Sequence, residues 1–302
     1  MSPRYPLIIQ PSDLPPLPSS ENIILLDATY HLDPSRDPRT EYEQRHLPGA
    51  RFWSLKDVSE PHPLGFKLML PSSERFVRYV TELGITKDTH VIVYDTQGIW
   101  SAPRTVFTFL AYGHENVSLL VGGLPAAIDA GIAMESGRPK TVESPTPYPP
   151  VTLRPNYIAS FDDIQSISAN DATVSEQRIV DARGARYFVE GRIPTSKSLP
   201  WGVLLDTVRR QNTDNLLKGE EATYSKLPSE DALRERLSNA LGEEEADKVW
   251  SGQVQLVNTC GSGITAVILW IALTQLGIHS KVYDESWGAY SKRQDAVIEK
   301  DH

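Results

Sequence analysis

The chain has 302 residues, of which 40% are hydrophobic and 23% charged, and its formal net charge at pH 7 is -9. This length allows two ordinary domains, and the acidic balance argues against a broad binding surface for nucleic acid or anionic membranes. The single cysteine excludes an intrachain disulfide framework and a cysteine-based zinc site, and no apolar run reaches the length of a membrane span.

The first half of the chain alternates strand-like and helix-like segments. Residues 1 to about 22 are rich in proline and predict little regular structure. Apolar runs that end in an acid or a glycine predict buried parallel strands, and periodic segments between a serine and a glycine predict capped helices. The predicted elements are, in order, a strand at 23–29, a helix at 72–83, a strand at 90–95, a helix at 102–112 and a strand at 117–121.

A proline-rich stretch then separates this pattern from a second copy of it. Residues 137–155 hold six prolines and no periodicity, which is typical of an interdomain linker. Beyond it, Asp181 ends a strand that echoes the one ending at Asp27, an offset of 181 − 27 = 154 residues. We therefore predict an α/β protein with two tandem copies of one unit, each a parallel sheet flanked by helices. The predicted division is a domain at 1–137, a linker at 138–155 and a domain at 156–302.

The only cysteine lies in the second copy, at the place where the first copy has Asp95. An apolar strand ends at Cys260, a glycine-flanked loop follows, and then a segment of helical length. The start of a helix has unpaired N–H groups and favours an anion, so this arrangement favours a thiolate. Gly261 and Gly263 let consecutive amides converge, and Ser262 adds a hydroxyl donor. The alternative is a lone buried cysteine that behaves as a small hydrophobe.

The chain resembles the tandem-domain sulfurtransferases of the rhodanese superfamily, most closely the 3-mercaptopyruvate sulfurtransferase branch with its fungal members. The resemblance extends from about residue 23 to residue 290 and rests on the segments 181–194, Cys260-Gly-Ser-Gly-Ile-Thr265 and Tyr283-Asp-Glu-Ser-Trp287. Thiosulfate-type rhodaneses carry Cys-Arg-Lys-Gly-Val-Thr, whose cations suit a dianionic donor, whereas the residues after Cys260 are neutral. The resemblance implies two rhodanese-like domains, of which the second is catalytic.

The resemblance also implies a two-step covalent mechanism without a cofactor or a metal. The Cys260 thiolate takes the outer sulfur of a donor and becomes a persulfide, and a thiol, cyanide or a protein such as a thioredoxin-like carrier removes that sulfur. The persulfide is held by the loop that follows, which comprises Gly261, Ser262, Gly263, Ile264 and Thr265. Arg186 stands where the family has the arginine that binds the donor carboxylate; the alternative is a solvated arginine.

The chain departs from the family pattern in two places. The insertion that usually follows Arg186, and that ends in a second substrate-binding arginine, is missing. Arg192 stands where the family usually has histidine, and is either a replacement cation or an exposed rim residue. The histidine that the family's first domain places before Met-Leu-Pro is Leu68 here, with His62 nearby. Of the family's Ser-His-Asp relay to the donor, only Ser262 remains.

The same residues bear on three other functions. A phosphatase of the Cdc25 type needs Cys-x5-Arg, and residue 266 is alanine. A thiosulfate sulfurtransferase stays open. A second alternative is a non-catalytic rhodanese-like scaffold or sulfur-relay binding protein. The missing arginine loop favours this alternative, whereas the intact cysteine loop argues against it. Trp287 either walls the cleft or caps the sheet.

The expected partners are a small-molecule sulfur donor and a thiol or protein acceptor, with no nucleic acid and no membrane. The first residues resemble neither a signal peptide nor an arginine-rich presequence. We therefore expect a cytoplasmic location, with the mitochondrion as the alternative.

Overall fold

The computed structural model describes residues 5–19, 22–139, 141–143, 145–169, 176–211, 213, 216–217 and 219–301. The chain divides into two compact units. The first comprises Met1–Glu60, Pro71–Leu153 and Thr207–Lys226. The second comprises Pro61–Leu70, Arg154–Asp206 and Leu227–His302.

Strands in the described residues form three sheets. They are β1 (Ile8–Ile9), β2 (Ile23–Asp27), β3 (Arg51–Phe52), β4 (His90–Tyr94), β5 (Val117–Leu120), β6 (Ile158–Ala159), β7 (Gln177–Asp181), β8 (Lys197–Ser198), β9 (Asp206–Arg209), β10 (Thr223–Lys226), β11 (Gln255–Thr259) and β12 (Lys281–Tyr283). The first unit holds a five-stranded sheet in the order β1-β5-β4-β2-β3, and the second holds one in the order β6-β12-β11-β7-β8. The strand pairings in both sheets are parallel, and β9 pairs with β10.

Helices connect these strands. They are α1 (Pro38–Gln44), α2 (Leu55–Val58), α3 (Ser73–Glu82), α4 (Ala102–Ala111), α5 (Gly123–Asp129), α6 (Phe161–Ala169), α7 (Ala185–Glu190), α8 (Glu230–Leu241), α9 (Glu243–Trp250), α10 (Ala266–Gln275) and α11 (Ser286–Tyr290). The predicted serine caps are present, since Ser72 and Ser229 each accept a hydrogen bond from the amide three residues later. α4 and α10 are buried along most of their length; this is expected for α10, which is apolar on nearly all sides, whereas α4 also buries Arg104, Thr105 and Thr108. No helix in the described ranges is long and apolar enough to cross a membrane.

The two sheets repeat the same register within their own units. Asp27 pairs with Tyr94 in the first sheet, and Asp181 pairs with Thr259 in the second. Asp95 and Cys260 therefore each follow directly after the central strand of their sheet. The predicted fold class, two α/β units with parallel sheets flanked by helices, is confirmed.

Some local expectations differ from the structure. The first 22 residues are not wholly irregular, because Ile8 and Ile9 form the edge strand β1 beside β5. The apolar run Leu7-Ile8-Ile9 is too short to indicate a strand from sequence alone. Within the predicted linker, Tyr148 is buried in the first unit, with its hydroxyl 2.8 Å from Nδ1 of His114. The division between the units at 153 and 154 falls inside that linker, and residues 61–70 and 207–226 each group with the other unit. The predicted domain boundaries stay a prediction.

Candidate active site

The sheet of the second unit brings three loops to one edge. β11 lies between β12 and β7, and all three strands are parallel. The chain continues from β7 to its neighbour β8 on one side, and later forms β11 and β12 on the other. Ligands of open α/β sheets bind at such a reversal of strand order, beyond the carboxyl ends of the strands. Cys260 is the first residue after β11, so it lies at this reversal.

Two backbone amides point at the sulfur of Cys260. The amides of Ser262 and Gly263 lie 3.4 Å and 3.1 Å from Sγ and donate hydrogen bonds to it. Gly263 has a φ of 82°, in the left-handed region where a side chain is strained. Gly261 does not have to be glycine for steric reasons, because a Cβ built on it would meet nothing within 4 Å. Gly263 is therefore the glycine on which this arrangement of amides depends.

Cys260 is only 1% exposed. A lone cysteine acting as a hydrophobe would also be buried, but it would not need donors aimed at its sulfur. The two amide hydrogen bonds and the adjacent start of α10 stabilise negative charge on Sγ. The site thus combines a buried thiol with a backbone arranged to receive an anion.

Ser286 is a contact of Cys260 that the sequence analysis did not single out. Its buried Oγ accepts a hydrogen bond from the amide of Cys260 at 3.3 Å and lies 3.8 Å from Sγ. The same hydroxyl donates to the carbonyl of Tyr283 at 3.0 Å. Ser286 has a φ of 55°, which is rare for a residue with a side chain and common where function constrains the backbone. The available signal was topological: Ser286 follows β12, the strand beside β11.

A cavity of about 560 Å³ lies beside the cysteine loop. It is lined by residues of the loops after β7 and β11, of α7 and the glycine after it, of the turn that follows β8, and of α11: Arg183, Gly184, Tyr187, Glu190, Gly191, Trp201, Gly261, Thr265 and Trp287. The guanidinium of Arg183 pairs with Asp181 at 2.6 Å and lies 4.6 Å from the ring centroid of Trp287. Trp287 therefore lines this cavity and also packs against the hydrophobic core of the second unit.

The predicted residues of the cysteine loop occupy different places relative to the cavity and to Sγ. Gly261 and Thr265 line the cavity, Ser262 and Gly263 direct their amides at Sγ, and the side chain of Ile264 is buried.

Neither predicted arginine is among the described residues that line the cavity, although the Arg186 guanidinium lies 6.0 Å from the ring centroid of the lining residue Tyr187. The side chain of Arg186 is 82% exposed, and its Nε is 3.3 Å from Oε1 of Glu190. The largely buried side chain of Arg192 pairs with Glu299 and with Asp301. Acidic partners near the end of the chain thus neutralise Arg192. Donor binding by either arginine stays a prediction.

Residues 61–70 of the second unit include the position of the family histidine. Leu68 is buried there with a φ of 70° and does not line the cavity. His62 approaches Glu285 instead, with 3.6 Å between Nε2 and Oε1. A Cβ added to Gly288 would lie 2.9 Å from the Phe66 ring, so this segment packs closely on α11. The described side chains supply no histidine to the cavity.

The first unit has the same loop with a carboxylate in place of the thiol. Asp95 is fully buried and accepts four backbone hydrogen bonds of 2.8–2.9 Å. The donors are the amides of Gln97, Trp100, Ser101 and Ala102. The corresponding loop of the first unit therefore directs four backbone N–H groups at a carboxyl side chain, in the place where the second unit has the thiol.

Fold and site together define a two-unit α/β protein whose second unit carries a buried cysteine with two backbone amides directed at its sulfur. Comparison with known proteins extends this. Residues 11–130 match the rhodanese-like domain. The chain is 34% identical over 284 residues to the probable 3-mercaptopyruvate sulfurtransferase of Schizosaccharomyces pombe, covering 91% of this chain and 88% of the relative. It is 30% identical over 278 residues to the thiosulfate sulfurtransferase of Rattus norvegicus, covering 89% and 85%.

Among solved structures, the 3-mercaptopyruvate sulfurtransferase SseA of Escherichia coli matches with a TM-score of 0.73 and 27% identity, over 93% of this chain and 98% of that one. The chain belongs to the rhodanese family of sulfurtransferases. The family resemblance inferred from the sequence is thereby confirmed.

Proposed function

We propose that this protein moves a sulfur atom from 3-mercaptopyruvate to a thiol through a persulfide on Cys260. In the first half-reaction the Cys260 thiolate attacks the donor sulfur, and an S–S bond forms while the donor C–S bond breaks. The electron pair of that bond leaves as the enolate of pyruvate, which takes up the proton of the donor thiol. The products are a cysteine persulfide and pyruvate.

In the second half-reaction an acceptor thiolate attacks the outer sulfur of the persulfide. A new S–S bond forms on the acceptor, the bond to Cys260 breaks, and the cysteine leaves as the thiolate that began the cycle. No oxidant or reductant is consumed, because the acceptor keeps the transferred sulfur as its own persulfide.

One observation carries this proposal: the amides of Ser262 and Gly263 are aimed at Sγ of Cys260 at the carboxyl end of the central strand. An anion is present on this sulfur before the first step and after the second. Donors fixed in place before the reaction stabilise that charge without reorganisation. The carboxylate that occupies the equivalent loop of the first unit supports the same interpretation.

The neutral cysteine loop and the names of the relatives together favour 3-mercaptopyruvate as the donor. Thiosulfate is a dianion and would be favoured by cations in the loop, whereas Gly261 and Ser262 are neutral. Arg186, on the helix whose residues line the cavity, is the proposed partner of the donor carboxylate. Thiosulfate is the second candidate because a thiosulfate sulfurtransferase is among the relatives.

The test compares the two donors on the same protein. Wild-type protein and Cys260→Ser are each incubated with 3-mercaptopyruvate or thiosulfate, then analysed by intact mass and peptide mapping. We expect 3-mercaptopyruvate to add one sulfur atom to Cys260, to release pyruvate in equal amount, and to leave the variant unchanged. Faster labelling by thiosulfate would reverse the donor assignment. Absence of labelling by both donors would favour the scaffold.

A small-molecule thiol or a thioredoxin-like protein is the proposed acceptor. A cytoplasmic location, with the mitochondrion as the alternative, likewise remains a prediction.

A further inference from the structure

Two consecutive residues of α11 hold the two carbonyl groups at the start of the cysteine loop. The amide of Trp287 donates to the carbonyl of Cys260 at 2.9 Å, and the amide of Gly288 donates to the carbonyl of Gly261 at 3.1 Å. The first N–H groups of a helix have no partner within the helix, so they are available for such contacts. α11 and the cysteine loop are therefore joined through their backbones.

The second of these hydrogen bonds sets the direction of an amide at the sulfur. The carbonyl of Gly261 and the N–H of Ser262 belong to one planar trans peptide unit, so the two groups point in opposite directions. The carbonyl faces Gly288, and the N–H donates to Sγ of Cys260 at 3.4 Å. A hydrogen bond that holds the carbonyl on α11 therefore also turns the Ser262 N–H towards the sulfur.

The close approach of α11 depends on the missing side chain of residue 288. A Cβ built on Gly288 would lie 2.5 Å from the carbonyl oxygen of Gly261 and 2.9 Å from Cε1 of Phe66. Non-bonded carbon atoms pack about 3.5–4.0 Å apart, so both separations would be clashes. Gly288 is not among the glycines with a positive φ. Residue 288 is therefore glycine because of the space and not because of its backbone conformation.

We propose that Gly288 is a positioning residue for sulfur transfer: it lets α11 hold the Gly261 carbonyl and so keeps the Ser262 amide directed at the attacking sulfur. The inference rests on the proposed transfer through Cys260. Gly288 is not one of the described residues that line the cavity, and it acts on the sulfur through the peptide unit that follows Gly261. Loss of its hydrogen bond should therefore slow the chemical step and leave donor binding unchanged.

The experiment deletes the N–H of residue 288 without adding a side chain. Because Cys260 is the only cysteine, residues 260–302 can be synthesised as a peptide and joined at Cys260 to residues 1–259. Glycolic acid in place of Gly288 replaces the amide by an ester, and the unmodified sequence assembled in the same way is the reference. Rapid-quench mass spectrometry measures persulfide formation in single turnovers over a range of 3-mercaptopyruvate concentrations.

The expected result is a change in one kinetic quantity and not in the other. Gly288→glycolic acid should lower the maximal rate of persulfide formation by about fivefold, the effect of one hydrogen bond. The donor concentration that gives half of this rate should change by less than about twofold. A purely structural loss would weaken donor binding and the chemical step together, so parallel changes in both quantities would overturn the inference. An unchanged maximal rate would overturn it as well.

Gly277 provides the matched control. Its amide donates to the carbonyl of Thr274 at 3.0 Å, just after the end of α10, and it is not among the described lining residues of the cavity. Gly277→glycolic acid removes a hydrogen bond of the same kind and should leave the maximal rate within about twofold of the reference. An equal loss there would overturn the inference, because it would assign the effect to the ester itself.

A side-chain variant gives a second test. Gly288→Ala should lower the maximal rate by at least about tenfold, since its Cβ displaces the carbonyl of Gly261. The same change in a Phe66→Ala background keeps this clash and removes the clash with the ring. A loss that persists in that background supports the inference. Full recovery there would overturn it in favour of side-chain packing on Phe66.

The outcomes also separate the two proposals. Normal loading of Cys260 in the reference, with an unchanged maximal rate in Gly288→glycolic acid, overturns the positioning role alone. Failure of the expressed wild-type protein to load overturns the sulfur transfer and this inference together.

Discussion

The hydroxyl of Ser286 contacts both the backbone and the sulfur of Cys260: its Oγ accepts a hydrogen bond from the Cys260 amide at 3.3 Å and lies 3.8 Å from Sγ. Trp287, the next residue, donates its amide to the carbonyl of Cys260 at 2.9 Å. The start of α11 thus fixes both backbone polar groups of the cysteine. This contact is maintained although Ser286 adopts a left-handed conformation.

Removing this hydroxyl should slow persulfide formation. We expect both Ser286→Ala and Ser286→Gly to lower the rate by about tenfold, since each loses a hydrogen bond that orients the cysteine. Rapid-quench mass spectrometry of the first half-reaction measures this rate. Ser286→Gly also relieves the backbone strain. A normal rate of persulfide formation in Ser286→Gly but not in Ser286→Ala would show that the rate depends on backbone strain and not on the hydroxyl.

The two glycines of the cysteine loop should respond differently to alanine. Gly263→Ala places a side chain at a φ of 82° and should cost about 1–2 kcal/mol of unfolding free energy. It should also slow persulfide formation by at least about tenfold, because the amide 3.1 Å from Sγ is displaced. Gly261→Ala, which meets no atom within 4 Å, should keep its stability within about 0.5 kcal/mol. Urea denaturation and single-turnover labelling compare the pair, and equal losses would contradict the assignment.

Arg186 should act on the donor and not on the acceptor. Arg186→Ala is expected to raise KM for 3-mercaptopyruvate by about fivefold, a modest effect because the side chain is 82% exposed. Arg186→Lys keeps the positive charge but loses the planar guanidinium, so its KM for 3-mercaptopyruvate should lie between those of the wild type and Arg186→Ala. Steady-state kinetics with each substrate varied in turn provides the measurement. Equal rises in both KM values would remove Arg186 from donor binding.

Asp27 should make the stability of the protein depend on pH. Burial raises the pKa of its carboxyl to about 7 from 3.8, with further help from the charge of Asp95. Between about pH 4 and 7 the folded state keeps a proton that the unfolded state releases, so the unfolding free energy falls as pH rises through this window. Asp27→Asn does not titrate, and its stability relative to wild type should increase by up to about 4 kcal/mol from pH 4 to pH 8.

Urea denaturation of both proteins across this range tests the prediction. Burial lowers the pKa of His90 and of His114 to about 4, but both residues are present in both proteins and cancel in the difference. A difference that is constant with pH would contradict a raised pKa at Asp27.

Glu220 should anchor residues 207–226 within the first unit. Its buried carboxylate pairs with Arg45 at 2.5 Å and with buried Arg210 at 3.0 Å. Glu220→Ala leaves two charges without this partner and should cost about 3 kcal/mol or more. Denaturant unfolding combined with hydrogen exchange of β9 and β10 measures the loss. The exposed pair of Glu244 with Lys248 is the control, and Glu244→Ala should leave the free energy of unfolding unchanged because water screens both charges.

The order of elements and the place of the reactive residue could be read from the sequence. Apolar strands, serine caps and terminal glycines identify the long elements because each depends on residues near one another in the chain. The duplicated pattern also located Cys260 and Asp95 at equivalent places, which the sheet registers bear out. The short strands β1, β3, β6 and β8 were not predicted, since two residues carry no periodicity.

The side-chain partners were decided by the tertiary structure. Ser286 reaches Cys260 because β12 pairs with β11, and Arg183 is neutralised because its guanidinium folds back onto Asp181. The grouping of residues 61–70 and 207–226 with the other unit likewise has no local signature. Hydrophobic patterning and helix capping depend on residues that are close in the chain, so they can be predicted from the sequence. Contacts between distant residues depend on packing and pairing of the whole sheet, and only the folded protein determines them.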